Sequence, residues 1–172
     1  MQHDDVTKAF LEFSRHQLLD EYRPRLRAAV ERLTDEQVWW RPNEASNSVG
    51  NLLLHLNGNV RQWLVGTFTR SEDARDRPAE FAERQLIPAS RLLETLDRTL
   101  QDVAAVLSRV TEQELLATYR IQGYTVTGLA AIYHVVEHFG MHYGQILYVA
   151  KLLQGADLGF YKELDRTGRL GD

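Results

Sequence analysis

Apolar residues recur at the three- and four-residue spacing of amphipathic α-helices in four long segments of the chain. These segments cover about residues 5–32, 49–69, 88–107 and 128–154, and polar or turn-forming stretches separate them. The chain has no internal repeat and no low-complexity segment. Four such helices predict an all-α antiparallel four-helix bundle that occupies residues 1–172 as one domain.

Shorter elements are predicted between the long helices. Residues 34–37 (Thr-Asp-Glu-Gln) and 111–114 (Thr-Glu-Gln-Glu) are capping boxes, and each predicts the start of a short helix. Residues 119–126 alternate around a Gln-Gly pair, which predicts a small hairpin or an extended loop before the last long helix. Residues 70–84 are highly charged and include Pro78, and we expect them to form a long loop over one end of the bundle.

Length and composition narrow the class of protein. With 172 residues and 44% hydrophobic content, the chain can bury a core without metal or disulfide support. It has no cysteine, which excludes disulfides, thiolate metal sites and a cysteine nucleophile. The net charge of -4, without a basic patch that contains aromatic residues, argues against nucleic-acid binding. The acidic N-terminus is unlike a signal peptide and no apolar run reaches about 18 residues, so we expect a cytoplasmic protein without a membrane span.

Three of the six histidines lie on the last long helix at four-residue spacing. Each is about one turn from the next, because a helix advances about 100° per residue. Relative to the apolar face of this helix, His138 and His142 lie at the edge of the buried side, and His134 leans outward. Two imidazoles four residues apart can share one metal ion, so this stretch is a candidate metal site.

His55 lies on the second long helix, in a row with Ser48, Asn51, Asn59 and Gln62. This polar row runs beside the apolar stripe, about 120° from its centre. Taken alone, His55 is explained by a solvent-facing or hydrogen-bonded position. Together with the His-x3-His pair on another helix, the row is better explained as the lining of a cavity or the edge of a helix pair.

Residues 50–56 read Gly-Asn-Leu-Leu-Leu-His-Leu, and residues 134–146 read His-Val-Val-Glu-His-Phe-Gly-Met-His-Tyr-Gly-Gln-Ile. In combination and in helix order, these elements resemble the DinB-like superfamily of damage-inducible and thiol-transferase-related bacterial proteins. The resemblance covers most of the chain. It implies a four-helix bundle with a divalent metal, commonly zinc or nickel, bound by one histidine of the second helix and two of the last. By position these ligands are His55, His138 and His142.

Characterised members of this superfamily use low-molecular-weight thiols such as bacillithiol or mycothiol as co-substrates. The resemblance therefore implies a metal-dependent thiol S-transferase that acts on a small molecule. Many members read His-Arg-Gly-Gln where this chain reads His-Tyr-Gly-Gln at residues 142–145, so a role of that arginine has no counterpart here. Gly140 and Gly144 permit close helix approach within the bundle or across a dimer, and a homodimer is expected.

The chemistry of the residues is compatible with this expectation. Three neutral imidazoles suit zinc, nickel or cobalt and leave coordination positions open. An open site can lower the pKa of water towards 7, or stabilise a thiolate as a nucleophile. Because the chain has no cysteine, the thiol would be external. The alternatives are a metal-dependent hydrolase, a noncatalytic metal-binding stress-associated dimer, and a buried polar network that only stabilises the bundle.

Three further residues are predicted to support the ligands. Gln145 and Tyr143 are candidates for positions behind them, and His134 is a candidate for orienting a ligand or lining the mouth of the site.

Two other groups of residues have simpler explanations. The tryptophans are predicted to be core residues: Trp39, Trp40 and Trp63. Arg75, Asp76 and Arg77 belong to the charged segment, for which a solvated loop is predicted. The alternative is that this segment covers the site and binds an anionic substrate.

Two other metal motifs are disfavoured. Residues 134–138 match the His-x-x-Glu-His pattern of inverted zinc peptidases, with Glu137 as the general base. That assignment needs a third ligand, and Glu137 falls on the side of the helix far from the buried face. A ferritin-like di-iron site requires Glu-x-x-His motifs on two helices, and position 140, three residues after Glu137, is glycine.

Overall fold

The computed structural model describes residues 3–162 and consists of α-helices with one small hairpin. The helices are α1 (His3–His16), α2 (Arg23–Val30), α3 (Asp35–Trp39), α4 (Val49–Val60), α5 (Thr67–Thr69), α6 (Arg77–Ala82), α7 (Ala89–Leu107), α8 (Glu112–Leu116) and α9 (Gly128–Gln154). The strands are β1 (Thr118–Ile121) and β2 (Tyr124–Thr127). Two π-helical turns, Gln17–Tyr22 and Arg61–Gly66, join α1 to α2 and α4 to α5.

Four long helical units form the bundle: α1 with α2, α4 with α5, α7, and α9. Helix α4 packs against α7 and α9, and α2 packs against the same two helices from the other side. Each unit contributes fully buried apolar side chains to one core, such as Leu26, Leu56, Leu100 and Phe139. The all-α fold predicted from the hydrophobic periodicity is therefore confirmed. Among the described residues, no helix is long and apolar enough to cross a membrane.

Side-chain caps begin the helices that border the site. The Ser48 hydroxyl accepts a hydrogen bond from the Asn51 backbone N–H, and the Asn51 side chain accepts one from the Ser48 backbone N–H, which starts α4. The capping boxes predicted at Thr34 and Thr111 are present and start α3 and α8. Thr127 caps α9, which fixes the first turn of the helix that contains three of the histidines.

The predicted hairpin is also present, directly before α9. Strands β1 and β2 pair antiparallel, and the two turn residues, Gln122 (φ 51°) and Gly123 (φ 83°), both have left-handed backbone conformations. Two positive φ values in succession match the right-handed twist of a two-residue hairpin. The indole N–H of Trp63 donates to Gln122 Oε1 at 3.2 Å, which ties this turn to the second long helical unit.

The prediction of a long loop for residues 70–84 is wrong in part, because this segment contains α6. Asp76 caps α6 by accepting a hydrogen bond from the Ala79 N–H at 3.0 Å, and Pro78 lies in the first helical turn, where a missing N–H costs nothing. We call residues 71–88 the strap. The strap lies along α4, where the Asn51 side-chain amide donates to the carbonyls of Glu80 (2.9 Å) and Glu83 (3.1 Å).

Candidate metal centre

Three histidine side chains converge where helices α4 and α9 pack against each other. His55 comes from α4, and His138 and His142 come from successive turns of α9. His138 Nε2 lies 3.1 Å from His55 Nε2 and 3.2 Å from His142 Nε2, and one ligand atom from each residue lies within 4.8 Å of the others. His55 is buried, and the other two are half-buried.

These distances fit a shared ion. Two nitrogens that each lie about 2.0–2.1 Å from a tetrahedral zinc are about 3.3–3.4 Å apart. The measured separations of 3.1 and 3.2 Å are close to that value. Three imidazole nitrogens that face one another suit a borderline-soft divalent ion, and this group could supply three ligands.

The strap orients His55. His55 Nδ1 lies 2.9 Å from Glu80 Oε2 and 3.1 Å from Arg75 Nη2. Since a carboxylate can only accept, we assign the ring N–H to the shorter contact with Glu80, which leaves the Nε2 lone pair free to bind a metal. Burial raises the pKa of the Glu80 carboxyl, but the hydrogen bonds from His55 and Arg75 outweigh it, so the pKa lies below its ordinary value. The carboxylate is therefore charged at neutral pH and stabilises the tautomer of His55 that ligation needs.

Arg75 holds this carboxylate in place. Its Nε donates to Glu80 Oε1 at 2.7 Å, its Nη2 to Glu80 Oε2 at 2.9 Å, and its Nη1 to Gln62 Oε1 at 3.0 Å. The Arg75–Glu80 ion pair packs against Gly58, where a Cβ would overlap the Glu80 carboxylate and lie 2.8 Å from Arg75 Nε. The Arg75 side chain is 5% exposed, so the expected solvated position is wrong for this residue.

A local group orients His142. Its Nδ1 donates to Gln145 Oε1 at 2.8 Å, one turn further along α9. This bond directs the His142 Nε2 lone pair towards His138, as the Glu80 bond does for His55. Gln145 is exposed, whereas Glu80 is largely buried.

His138 lies between the other two ligands and has a different environment. Its Nδ1 is buried and has no hydrogen-bond partner among the described residues. Burial, and then repulsion from His142 and His55, lowers the pKa of His138 to about 3. His138 is therefore neutral at ordinary pH, and its Nε2 faces two other ring nitrogens that both carry lone pairs. A cation at their meeting point would relieve this arrangement.

His134 occupies a separate cluster one turn before His138. Its Nε2 accepts a hydrogen bond from Asn59 Nδ2 at 3.2 Å, and its ring lies 4.1 Å from the Trp63 ring, centroid to centroid. It is half-buried because these two residues of the second helical unit cover it, and burial lowers its pKa. His134 lines the cavity beside the triad.

The remaining candidates lie elsewhere. The Tyr143 ring packs on Tyr22 at 5.0 Å, so its contacts are with the first helical unit and differ from the position behind the ligands that was predicted. Glu137 is exposed, which removes the support for an inverted-peptidase site. Trp63 is buried, as a core residue should be, but it also forms a wall of the cavity.

The sequence did not reveal that Glu80 and Arg75 support His55, or that Asn59 contacts His134. The only sequence signal for Glu80 and Arg75 was an Arg and a Glu five residues apart in a segment dense with both charges. Asn59 was visible as a member of the polar row that includes His55. Its contact with His134 joins α4 to α9 and cannot be derived from either helix alone.

The chain has an all-α bundle fold, and three of its histidines form one cluster. The chain belongs to the family described as a protein of unknown function (DUF1572), which matches residues 5–162. A conserved protein from Enterococcus faecalis has a similar structure, with a TM-score of 0.60 and 16% sequence identity over 91% of this chain and 99% of that one. A DinB-like protein from Bacillus cereus ATCC 10987 gives a TM-score of 0.62 and 16% identity, over 80% and 88% of the two chains. No curated protein matches the chain in sequence.

Proposed function

We propose that this protein is a metal-dependent thiol S-transferase that activates an external low-molecular-weight thiol for attack on a small electrophile. The observation that carries the proposal is the convergence of three imidazole Nε2 atoms beside an open cavity, with two of the rings held in the ligating tautomer. Zinc and nickel are the ions that these ligands and the superfamily resemblance favour. The chain has no cysteine, so the thiol must come from solution.

Each residue has a defined task in this proposal. His55, His138 and His142 hold the ion, Glu80 and Gln145 accept the ring N–H of two ligands, and the cavity beside His55 and His138 admits the reactants. When bound, the divalent ion supplies Lewis acidity that lowers the pKa of a neighbouring thiol or water.

Two rival functions differ in what occupies the cavity. A metal-dependent hydrolase would use water as the nucleophile in the same place. A noncatalytic metal-binding dimer would be expected to close the site with a fourth protein ligand, and the described residues offer a group of three. An open cavity of about 400 Å³ at the ligands therefore favours catalysis. A homodimer and a cytoplasmic location stay predictions from the sequence.

The test uses protein purified without an affinity tag and loaded with one equivalent of zinc or nickel. Conjugation of a panel of small thiols to 1-chloro-2,4-dinitrobenzene is followed, a reaction in which a C–S bond forms, chloride leaves and the thiol proton passes to solvent. We expect metal-dependent acceleration that persists below the free thiol pKa of about 8.5, and its loss in His138→Ala.

The same preparation is assayed on activated esters and amides. Hydrolysis without a thiol requirement would favour the hydrolase. Absence of turnover in both assays, with the metal bound, would favour the noncatalytic protein.

A further inference from the structure

The cavity beside the triad has walls of distinct chemical character. His55, His138 and His134 line the side nearest the candidate ion, and Trp63 and Tyr124, whose ring centroids are 6.2 Å apart, line another side. Val126 and Ala130 add apolar surface, and the volume is about 400 Å³. This volume lies in the range of pockets that bind small organic molecules, and its aromatic walls fit a flat apolar group.

A cation without a carboxylate partner stands at the edge of this cavity. Arg77 lines the cavity, and its guanidinium lies 4.9 Å from the centre of the Phe81 ring. Within the part of the chain that the structure describes, no carboxylate pairs with Arg77. Arg75, which also lines the cavity, donates its hydrogen bonds to Glu80 and Gln62. Arg77 is therefore the arginine that is available to an incoming anion, and guanidinium groups bind carboxylates through paired hydrogen bonds.

A buried acceptor also lacks a partner. Asn59 is 3% exposed and lines the cavity, and its Nδ2 donates to His134. Its Oδ1 is buried and has no hydrogen-bond partner among the described residues. A buried acceptor without a partner is unfavourable, so a ligand that brings an N–H or O–H to this atom would be favoured.

We infer that this cavity binds a small amphipathic carboxylate, with a flat apolar body against the wall that Trp63 and Tyr124 form, its carboxylate at Arg77, and a donor group at Asn59. The inference names the substrate class of the proposed reaction and rests on that proposal for the chemistry. The binding itself depends on aromatic, cationic and amide groups that are separate from the three metal ligands. It can therefore be tested with and without metal.

The test compares two probes of the same shape, 6-hydroxy-2-naphthoate and its neutral amide, by isothermal titration calorimetry. Each is titrated into zinc-loaded protein and into protein treated with a chelator. We expect the acid to bind at least about tenfold more tightly than the amide in both preparations, because charge-assisted hydrogen bonds are stronger than neutral ones. Arg77→Gln should remove this preference.

Arg91→Gln is the matched control, because Arg91 is an exposed arginine of α7 that does not line the cavity. It should keep the preference for the acid. Trp63→Leu should weaken both probes by a similar factor, and circular dichroism should show that its helical content is unchanged. A parallel loss for the acid and the amide would assign the naphthalene ring to the aromatic wall.

Three results would overturn the inference. They are equal affinity for the two probes, an unchanged preference in Arg77→Gln, and a preference that disappears when zinc is removed, which would assign the carboxylate to the metal. Zinc content, measured on the same samples, tests the proposed metal site independently of naphthoate binding. Protein that binds zinc but not the naphthoate refutes the substrate class alone, and protein that binds the naphthoate but no zinc refutes the metal site alone.

Discussion

His134 and His138 lie one turn apart on α9, yet their surroundings differ completely. His138 Nε2 faces the Nε2 atoms of His55 and His142, whereas His134 Nε2 accepts from the amide of Asn59. An amide N–H occupies the lone pair that a metal would need. The four-residue spacing therefore makes all three histidines of α9 candidate ligands, and the α4 residue opposite each one separates these candidates.

A second difference separates the supports of the outer ligands. His55 is held by Glu80, a buried carboxylate that Arg75 pairs with from the strap. His142 is held by Gln145, an exposed amide on its own helix. The first support depends on the tertiary fold, and the second depends on helix geometry alone. Their energetic contributions should differ accordingly.

The largest expected effect is the loss of metal from His138→Ala. His138 Nε2 lies 3.1 Å from the Nε2 of His55 and 3.2 Å from the Nε2 of His142. Its removal therefore takes away the nitrogen that lies close to both of the others and leaves only two histidines to bind the ion. We expect zinc content, measured by elemental analysis after dialysis, to fall from about one per chain to background. His134→Ala should keep nearly full occupancy. If His134→Ala empties the site while His138→Ala or His142→Ala does not, the ligand assignment is wrong.

The regular parts of this molecule were predictable because they depend on local sequence. The helical stripes, the capping boxes at Thr34 and Thr111 and the hairpin follow from residues a few positions apart. The strap was missed because Glu80 and Arg75 acquire their roles from contacts with α4. In sequence, a buried ion pair in a charged segment is indistinguishable from solvated charges.

The polar row on α4 was more informative. It marked His55 and Asn59, which lie four residues apart, as neighbours on one surface, and both line the cavity. The row could not reveal that His55 would meet His138 and that Asn59 would meet His134. That choice depends on the rotation and axial shift of α9 relative to α4, which the packing of the whole bundle determines.

The next effect tests the tertiary support. Glu80→Gln should weaken zinc binding by about 10–100-fold, the usual cost of removing the carboxylate behind a histidine ligand. The variant also leaves Arg75 buried without its partner charge, which is destabilising. Competition with a chromophoric chelator measures the affinity, and urea unfolding measures the stability.

Two controls separate these effects. Glu83→Gln, also in the strap, should change neither quantity much, because its carboxylate caps nearby backbone N–H groups. The double variant Arg75→Gln/Glu80→Gln should recover part of the stability without the affinity. Full zinc affinity in Glu80→Gln would show that the strap does not support the site.

Gly58 on α4 and Gly144 on α9 provide a matched test of how closely the strap packs against α4. A Cβ at Gly58 would overlap Glu80, so Gly58→Ala should displace the strap and lower the free energy of unfolding by about 1–3 kcal/mol. A Cβ at Gly144 would meet nothing within 4 Å, so Gly144→Ala should be neutral or add up to about 1 kcal/mol through helix propensity. Thermal unfolding of both variants, with and without zinc, measures the difference. If Gly58→Ala and Gly144→Ala had similar effects on thermal unfolding, the close packing of Glu80 against α4 would be contradicted.

The pH dependence of the metal-free protein should reflect the histidine cluster. The pKa of His138 is lowered to about 3, and burial also lowers the pKa of His142 and His134, so the unfolded chain binds protons first as the pH falls below about 6.5. Stability should therefore be fully present above about pH 6.5 and decline below it, by up to about 1.4 kcal/mol per pH unit for each such group. Urea midpoints from pH 7.5 to 4.5 in a chelator measure this slope.

His138→Ala should flatten the slope, since one of these groups is then absent. A slope unchanged by this substitution would show that the acid sensitivity comes from other groups. With zinc present, occupancy should also fall through about pH 6 to 5, because protons compete for the imidazoles.

The smallest effect is expected at the local support. Gln145→Ala removes the acceptor of the His142 N–H, but Gln145 is exposed and water can take its place. A neutral hydrogen bond contributes about 0.5–1.5 kcal/mol, so zinc affinity should fall only about two- to tenfold, measured with the same chelator as for Glu80→Gln. A loss as large as that of Glu80→Gln would mean that burial does not decide the strength of the two supports. In that case the orientation of His142 on α9 would limit metal binding as much as the strap does.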